Sequence, residues 1–170
     1  LQEHSVLYVQ DSSLDEPRVL LDPNLLAEDG TLALGQVEVS RDGQYLAYSI
    51  TEAGSDWQSI RVRRIDNGED LDDHLKWVKF SQIAWYQDGF FYSRYDEPDQ
   101  NDEFIGINQN HKVYYHSIGT PQSDDRLVFH GGPHLLRNYV AQVTDDERFL
   151  IISETESTHG NSIYCLLYTS

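Results

Sequence analysis

The chain has 170 residues, of which 39% are hydrophobic and 24% charged, enough for one globular domain with a core and too apolar for a disordered segment. Its 29 acidic residues outnumber 12 basic ones, and the net charge of −17 repels phosphate backbones and anionic lipid, which argues against nucleic acid and against a membrane surface as partners. No apolar run approaches the roughly 20 residues of a membrane-spanning helix. A single cysteine, Cys165, excludes an internal disulfide.

Taken in chain order, the predicted elements are short strands. Ser5 to Gln10 and Arg18 to Leu21 come first, and Pro23 to Ala27 allows one helical turn at most. Gln36 to Ser40, Tyr45 to Ile50 and Ser59 to Ile65 follow, several with apolar and polar residues alternating at period two. Val, Ile, Tyr and Phe dominate these runs, as a pleated, half-buried surface prefers. Asp29-Gly30, Asp42-Gly43 and Asp88-Gly89 punctuate them as tight turns, because Gly tolerates positive φ. The longest polar stretch, Tyr95 to Asn110, separates a hairpin ending at Arg94 from the strand Lys112 to His116. A connection of that length in a compact domain is either disordered or functional.

A weak repeat runs through the chain. Ser40-Arg41-Asp42-Gly43-Gln44-Tyr45 is echoed by Tyr86-Gln87-Asp88-Gly89-Phe90-Phe91 and again by Thr144-Asp145-Asp146-Glu147-Arg148-Phe149. Asp42 and Asp88 are 46 residues apart, and Asp88 and Asp146 are 58 apart. Those spacings suit a four-stranded propeller blade with its loops, given repeats of roughly 40–50 residues. The chain therefore reads as all-β, an incomplete β-propeller of about three four-stranded antiparallel blades. Ser5 to about Leu34 finishes one blade, Gln36 to Lys79 forms the second, Phe80 to Phe129 the third, and Tyr139 to Tyr164 begins a fourth. A β-sandwich with about the same strand count is the alternative. An open arc leaves raw faces where neighbouring blades should pack, so low stability in isolation is expected.

The residues carry little chemistry of their own. No Gly-x-Ser-x-Gly nucleophile turn is present, since Gly54-Ser55-Asp56 and Gly160-Asn161-Ser162 both lack the closing Gly. No catalytic residue is expected in this chain. His130-Gly131-Gly132-Pro133-His134 has neither a companion Cys nor helical His spacing, and reads as loop histidines at a blade crossing rather than as metal ligands. Asp99 to Glu103 has the acidity of a calcium loop, but Phe104 stands where the turn needs Gly. Neither a metal nor a cofactor is called for. Trp57, Trp77 and Trp85 read as core and inter-blade packing. On residues alone, an acidic propeller acting as a protein-interaction module is one open function.

Six blocks give a sharper resemblance. Leu21-Asp22-Pro23-Asn24, Glu28-Asp29-Gly30-Thr31, Val39 to Tyr48, Gly54-Ser55-Asp56-Trp57, Val78 to Trp85 and Lys112 to Ser123 resemble, in order, the early propeller of the prolyl oligopeptidase family. The resemblance runs from about Ser5 to Tyr164 and fits this family better than oligopeptidase B. It implies a seven-bladed propeller joined to a C-terminal α/β-hydrolase domain in the same protein, with a Ser-Asp-His triad that cleaves short peptides after proline. The propeller then gates access, and a short peptide and the hydrolase domain are its partners. A family Phe that lines an outer, third substrate subsite falls on Phe80; the alternative for Phe80 is inter-blade core. Two further subsite positions fall on Asn138 and Thr158, where this sequence departs from the family: Gly131 to Tyr139 matches poorly, and Asn and Thr are more polar than the usual residues. The loop Asp96 to Asn110 matches a mobile family loop expected to gate entry. The first residues, Leu1-Gln2-Glu3-His4, lack the basic or apolar character of a signal peptide and read as the interior of a longer protein, which leaves cytoplasm and periplasm both open. Cys165 to Ser170 resembles one translated frame of a sequencing-library adapter, so residues 1–164 are expected to be propeller and 165–170 a non-native tail.

Overall fold

A computed structural model describes residues 5–26, 32–52, 55–97, 109–156 and 161–167. Thirteen strands are defined there: β1 (Leu7–Val9), β2 (Arg18–Leu21), β3 (Leu32–Val39), β4 (Tyr45–Glu52), β5 (Gln58–Arg64), β6 (Asp70–Val78), β7 (Ala84–Tyr86), β8 (Gly89–Arg94), β9 (Lys112–Ser117), β10 (Arg126–His130), β11 (Asn138–Val143), β12 (Phe149–Thr155) and β13 (Asn161–Leu167). The helical turn shrinks to a 3₁₀ turn at Pro23–Leu25, started by Pro23 and capped by the Asp22 side chain. Ala27 lies outside the described residues.

Pairing is antiparallel throughout, and the strands sort into blades. β3-β4-β5-β6 and β7-β8-β9-β10 are complete four-stranded meanders, β1-β2 is a pair, and β11-β12-β13 is a triplet. The expected blade arc is present, with one boundary moved. Leu32 to Leu34 pair with Glu52 to Ile50, so they open the second blade and do not close the first. β13 continues past Tyr164, with Cys165, Leu166 and Leu167 opposite Ile151, Leu150 and Phe149.

The repeat proves to be a repeated turn. Ser40 Oγ donates to Asp42 at 2.6 Å, Asp42 accepts from the Gln44 amide at 3.0 Å, and Ser40 Oγ accepts from the Tyr45 amide at 2.9 Å. Thr144, Asp146, Arg148 and Phe149 reproduce these three bonds at 2.6, 3.2 and 3.1 Å. A short hydroxyl and an Asp two residues on satisfy the donors of the turn, the reason such residues recur there. Gly43 supplies the left-handed residue of the first turn (φ 71°), and Glu147 takes that conformation in the other (φ 57°). The middle copy is built differently. Tyr86 pairs with Gly89, so the loop is Gln87-Asp88, and it is Gln87 that has positive φ (51°). Gly89 is needed for another reason: a Cβ there would stand 1.9 Å from the His116 carbonyl oxygen. Asp29-Gly30 lies outside the described residues.

Three apolar clusters fill the seams between blades. Leu20, Leu21, Leu46, Tyr48 and Ile50 join the first pair to the second blade. Ala47, Ile60, Val62, Leu75 and Val78 meet Phe90 and Tyr92 between the second and third. Phe91, Val113 and Tyr115 meet Tyr139, Ala141 and Leu150 between the third and fourth. The middle seam also holds a buried charge set. His116 of β9 lies between Asp73 of β6 and Asp125, with Nε2 and Nδ1 each 2.7 Å from a carboxylate oxygen and all three side chains fully buried. Tyr92 donates to the second oxygen of Asp125 at 2.5 Å, and the Gly119 amide donates to Asp73 at 2.7 Å. Burial opposes the imidazolium, but bonds and attraction to Asp125 and Asp73 outweigh it and raise His116 to about 9.

This clamp strengthens toward acid and weakens toward base. Its contribution is fully present below about pH 6.5 and is lost as pH rises to about 9, a change of about 3 kcal/mol. Urea midpoints of the chain between pH 6 and 10 should fall accordingly, and His116→Gln should remove that slope; an unchanged slope refutes the assignment. Gly89→Ala should lower stability by about 3 kcal/mol, because a strand carbonyl must move to admit the methyl group.

Candidate functional site

The meander fixes which loops share an end of the arc. The turns after β3, β7 and β11 and those after β5 and β9 lie at one end. The connections after β4, β8 and β12 and the crossings from blade to blade lie at the other. Phe80, in the crossing between β6 and β7, and Asn138, which opens β11, therefore occupy the same end. Thr158 lies outside the described residues, in the connection after β12. The expected gating loop likewise falls mostly outside them, at residues 98–108; its described base is closed by an ion pair of 2.5 Å between Asp96 and Lys112.

Phe80 is 54% exposed. It is not inter-blade core. Its backbone has φ 51°, and Trp77, three residues earlier, has φ 62°. Left-handed conformations at bulky residues are costly and persist only where the surroundings impose them. Here the kink at Trp77 lets the end of β6 pair with the end of β8. Val78 is in register with Arg94, and the Tyr95 amide donates to the Trp77 carbonyl at 3.1 Å. The crossing is then fastened on both sides of Phe80. The Lys79 carbonyl is 2.9 Å from His111 Nε2, and Ser81 Oγ accepts from the Ser93 amide at 2.8 Å. The Lys79 ammonium lies 5.4 Å from both the Trp57 and Phe80 ring centres and 3.2 Å from Asp56.

An aromatic cluster stands behind this crossing. Trp57 meets Trp77 and Tyr95 edge-on, each at 5.8 Å, and the Tyr95 ring lies 4.6 Å from His111. Trp57 and Trp77 thus support a loop end rather than the centre of a seam, whereas Trp85 packs on the middle cluster and donates to the Glu38 carbonyl at 3.0 Å. Tyr95 donates to Asn138 Oδ1 at 2.5 Å, so Asn138 presents a carboxamide already engaged from behind. Burial pushes the Tyr95 hydroxyl up to about 12, which keeps it a donor. His111, 1% exposed, also accepts at Nδ1 from the Tyr139 amide at 2.8 Å. One buried imidazole therefore joins the residue before Phe80 to the residue after Asn138.

Sequence reasoning missed His111 and Tyr95. The available signal was their position, since an aromatic and a histidine bracket the long polar loop at its two ends. His130 and His134 do lie at a blade crossing, where Gly132 donates to His130 at 3.2 Å. Among the described residues no group of three or more His, Cys, Asp or Glu side chains is arranged to hold a metal ion. The first strands of successive blades meet around a cavity of about 460 Å³ lined by Glu38, Gln82, Trp85, Gln142 and Thr144 among others.

The sequence model of the prolyl oligopeptidase N-terminal β-propeller domain matches residues 1–170. The chain belongs to that family. It is 45% identical over 166 residues to a prolyl endopeptidase of Elizabethkingia meningoseptica, covering 96% of this chain and 23% of that protein. It is 38% identical over 161 residues to prolyl oligopeptidase A of Amanita bisporigera, covering 84% and 21%. A solved prolyl endopeptidase structure superposes with a TM-score of 0.88 at 37% identity, over 99% of this chain and 24% of that one. Prolyl oligopeptidase B of Galerina marginata, bound to a 35mer hydrolysis and macrocyclization substrate, does so with a TM-score of 0.88 at 28% identity, over 99% and 26%. The chain spans about a quarter of the length of these relatives.

The neutral form of His111 is the native one, because protonating Nδ1 destroys the bond from Tyr139. Burial pushes the imidazole down to about 4, opposed in part by the bond to the Lys79 carbonyl. Its contribution is complete above about pH 6.5 and is lost as pH falls to about 4, about 3 kcal/mol in all. Unfolding titrations from pH 7 to 4 should show a component of this size that His111→Gln lacks; equal slopes in both proteins would exclude it.

Proposed function

We propose that this chain is the propeller portion of a serine endopeptidase that cleaves short peptides on the carboxyl side of proline, and that Phe80 forms an apolar wall of an outer substrate subsite. The Ser-Asp-His triad belongs to an α/β-hydrolase domain of the same protein outside this chain. Family membership and relatives named prolyl endopeptidase support the reaction class. The observation that carries the subsite is Phe80 itself: a large apolar ring, 54% exposed, on a backbone fastened at both neighbouring residues. An exposed apolar ring gains roughly 25 cal/mol for each Å² that a ligand removes from water. A ring already held in place loses little conformational entropy on binding, so more of that gain appears as affinity. Asn138 and Thr158 are proposed as further subsite positions, with Asn138 offering a polar rather than an apolar contact. Residues 165–170 are proposed to be a non-native tail with no part in function.

The test is a full-length enzyme in which this chain replaces the matching 166 residues of the Elizabethkingia meningoseptica protein. Phe80→Ala should raise KM about tenfold, about 1.4 kcal/mol, for peptides long enough to reach the third subsite, and leave kcat unchanged. KM for shorter peptides should not move. Equal effects on long and short peptides would remove Phe80 from the subsite. The isolated chain should not turn over a proline-containing fluorogenic peptide, and measurable turnover would place the chemistry here instead.

A further inference from the structure

We propose that His111 is a positioning residue for the Phe80 subsite, setting the separation between the crossing that carries Phe80 and the strand that carries Asn138. This rests on the reading of Phe80 as a substrate-facing wall. The two bonds determine the tautomer. A backbone amide can only donate, so Nδ1 accepts from Tyr139; a carbonyl can only accept, so Nε2 donates to Lys79. One neutral ring thus satisfies one buried donor and one buried acceptor from two different blades. The ring has no freedom to choose other partners. Its centre lies 4.6 Å from the Tyr95 ring and 6.4 Å from the Tyr139 ring, the latter at an interplanar angle of 15°. Tyr95 in turn holds Asn138 by its hydroxyl. The tie therefore runs from Lys79 to Tyr139 directly and from His111 to Asn138 through Tyr95.

The crossing needs such a tie. Phe80 sits in a left-handed conformation, which is costly for a bulky L-residue. Without the Lys79 carbonyl bond, Ser81 is the neighbour of Phe80 still hydrogen-bonded to a strand, and Lys79 keeps only its exposed ammonium contacts with Asp56 and the Trp57 and Phe80 rings among the described residues. The peptide unit before Phe80 is then free to rotate toward the ordinary region, carrying the ring off the wall. His111 itself is buried, so its effect on substrate is exerted through Phe80 and Asn138.

The same full-length chimera separates the possibilities. His111→Leu removes both bonds, His111→Asn is too short to span both partners, and His111→Gln restores one donor and one acceptor. For peptides reaching the third subsite, Leu should raise KM about tenfold at unchanged kcat, Asn should fall between, and Gln should stay within about twofold of the parent. KM for shorter peptides should remain constant throughout. Equal changes for long and short peptides, or no rescue by Gln, would overturn the proposal and leave His111 a plain structural residue. If the Leu variant fails to fold, the Asn and Gln pair carries the same comparison. If Phe80→Ala has no length-dependent effect, the subsite reading itself fails; if it has one and the His111 series does not, only this inference does.

Discussion

The seam between the second and third blades is the constraint on which the rest depends. Two four-stranded meanders have no covalent or sheet-wide reason to hold a fixed angle to each other. Here they are joined in three ways: an apolar cluster from Ala47 to Tyr114, the buried Asp73–His116–Asp125 set, and backbone pairing of the end of β6 with the end of β8. The apolar cluster supplies most of the driving force, but it is non-directional. The charge set and the backbone stitch are directional, and they fix the register in which the two faces meet. Gln122 adds to this, since its side-chain amide accepts from the Lys76 amide and donates to the Lys76 carbonyl, each at 3.0 Å, as another strand would.

Phe80 is exposed because of that stitch. To lay its end on β8, the chain leaves β6 through a left-handed Trp77 and re-enters the third blade through a left-handed Phe80. The same geometry brings the bases of the long connections against the crossing, so that Trp57, Tyr95 and His111 collect behind the residue that faces outward. Two buried histidines serve this arrangement in opposite protonation states. His116 is charged because two carboxylates face it, and His111 is neutral because it is buried among backbone groups and aromatic rings.

Much of the fold was legible in the order of the residues. Period-two strands, the hydroxyl-x-Asp turns and the 46-residue echo are local properties, written within a few residues of where they act. So is the position of Phe80, through the block Val78-Lys79-Phe80-Ser81. Boundaries were less legible. Leu32 to Leu34 are apolar and would suit either blade, and only their pairing with β4 assigns them. Asp88-Gly89 reads as a glycine turn, yet the glycine is required by the His116 carbonyl, 27 residues away.

By itself, then, the sequence determined an all-β arc and its family and offered three candidate subsite positions, Phe80, Asn138 and Thr158, because strand period, turn chemistry and motif order are short-range or collinear. Tertiary structure decided whether Phe80 is core or surface, which histidines are charged, and that His111 and Tyr95 belong with Asn138. Those outcomes depend on burial and on partners 9 to 43 residues distant along the chain. A linear pattern carries no record of which backbone groups a fold will leave to be satisfied by a side chain from the next blade.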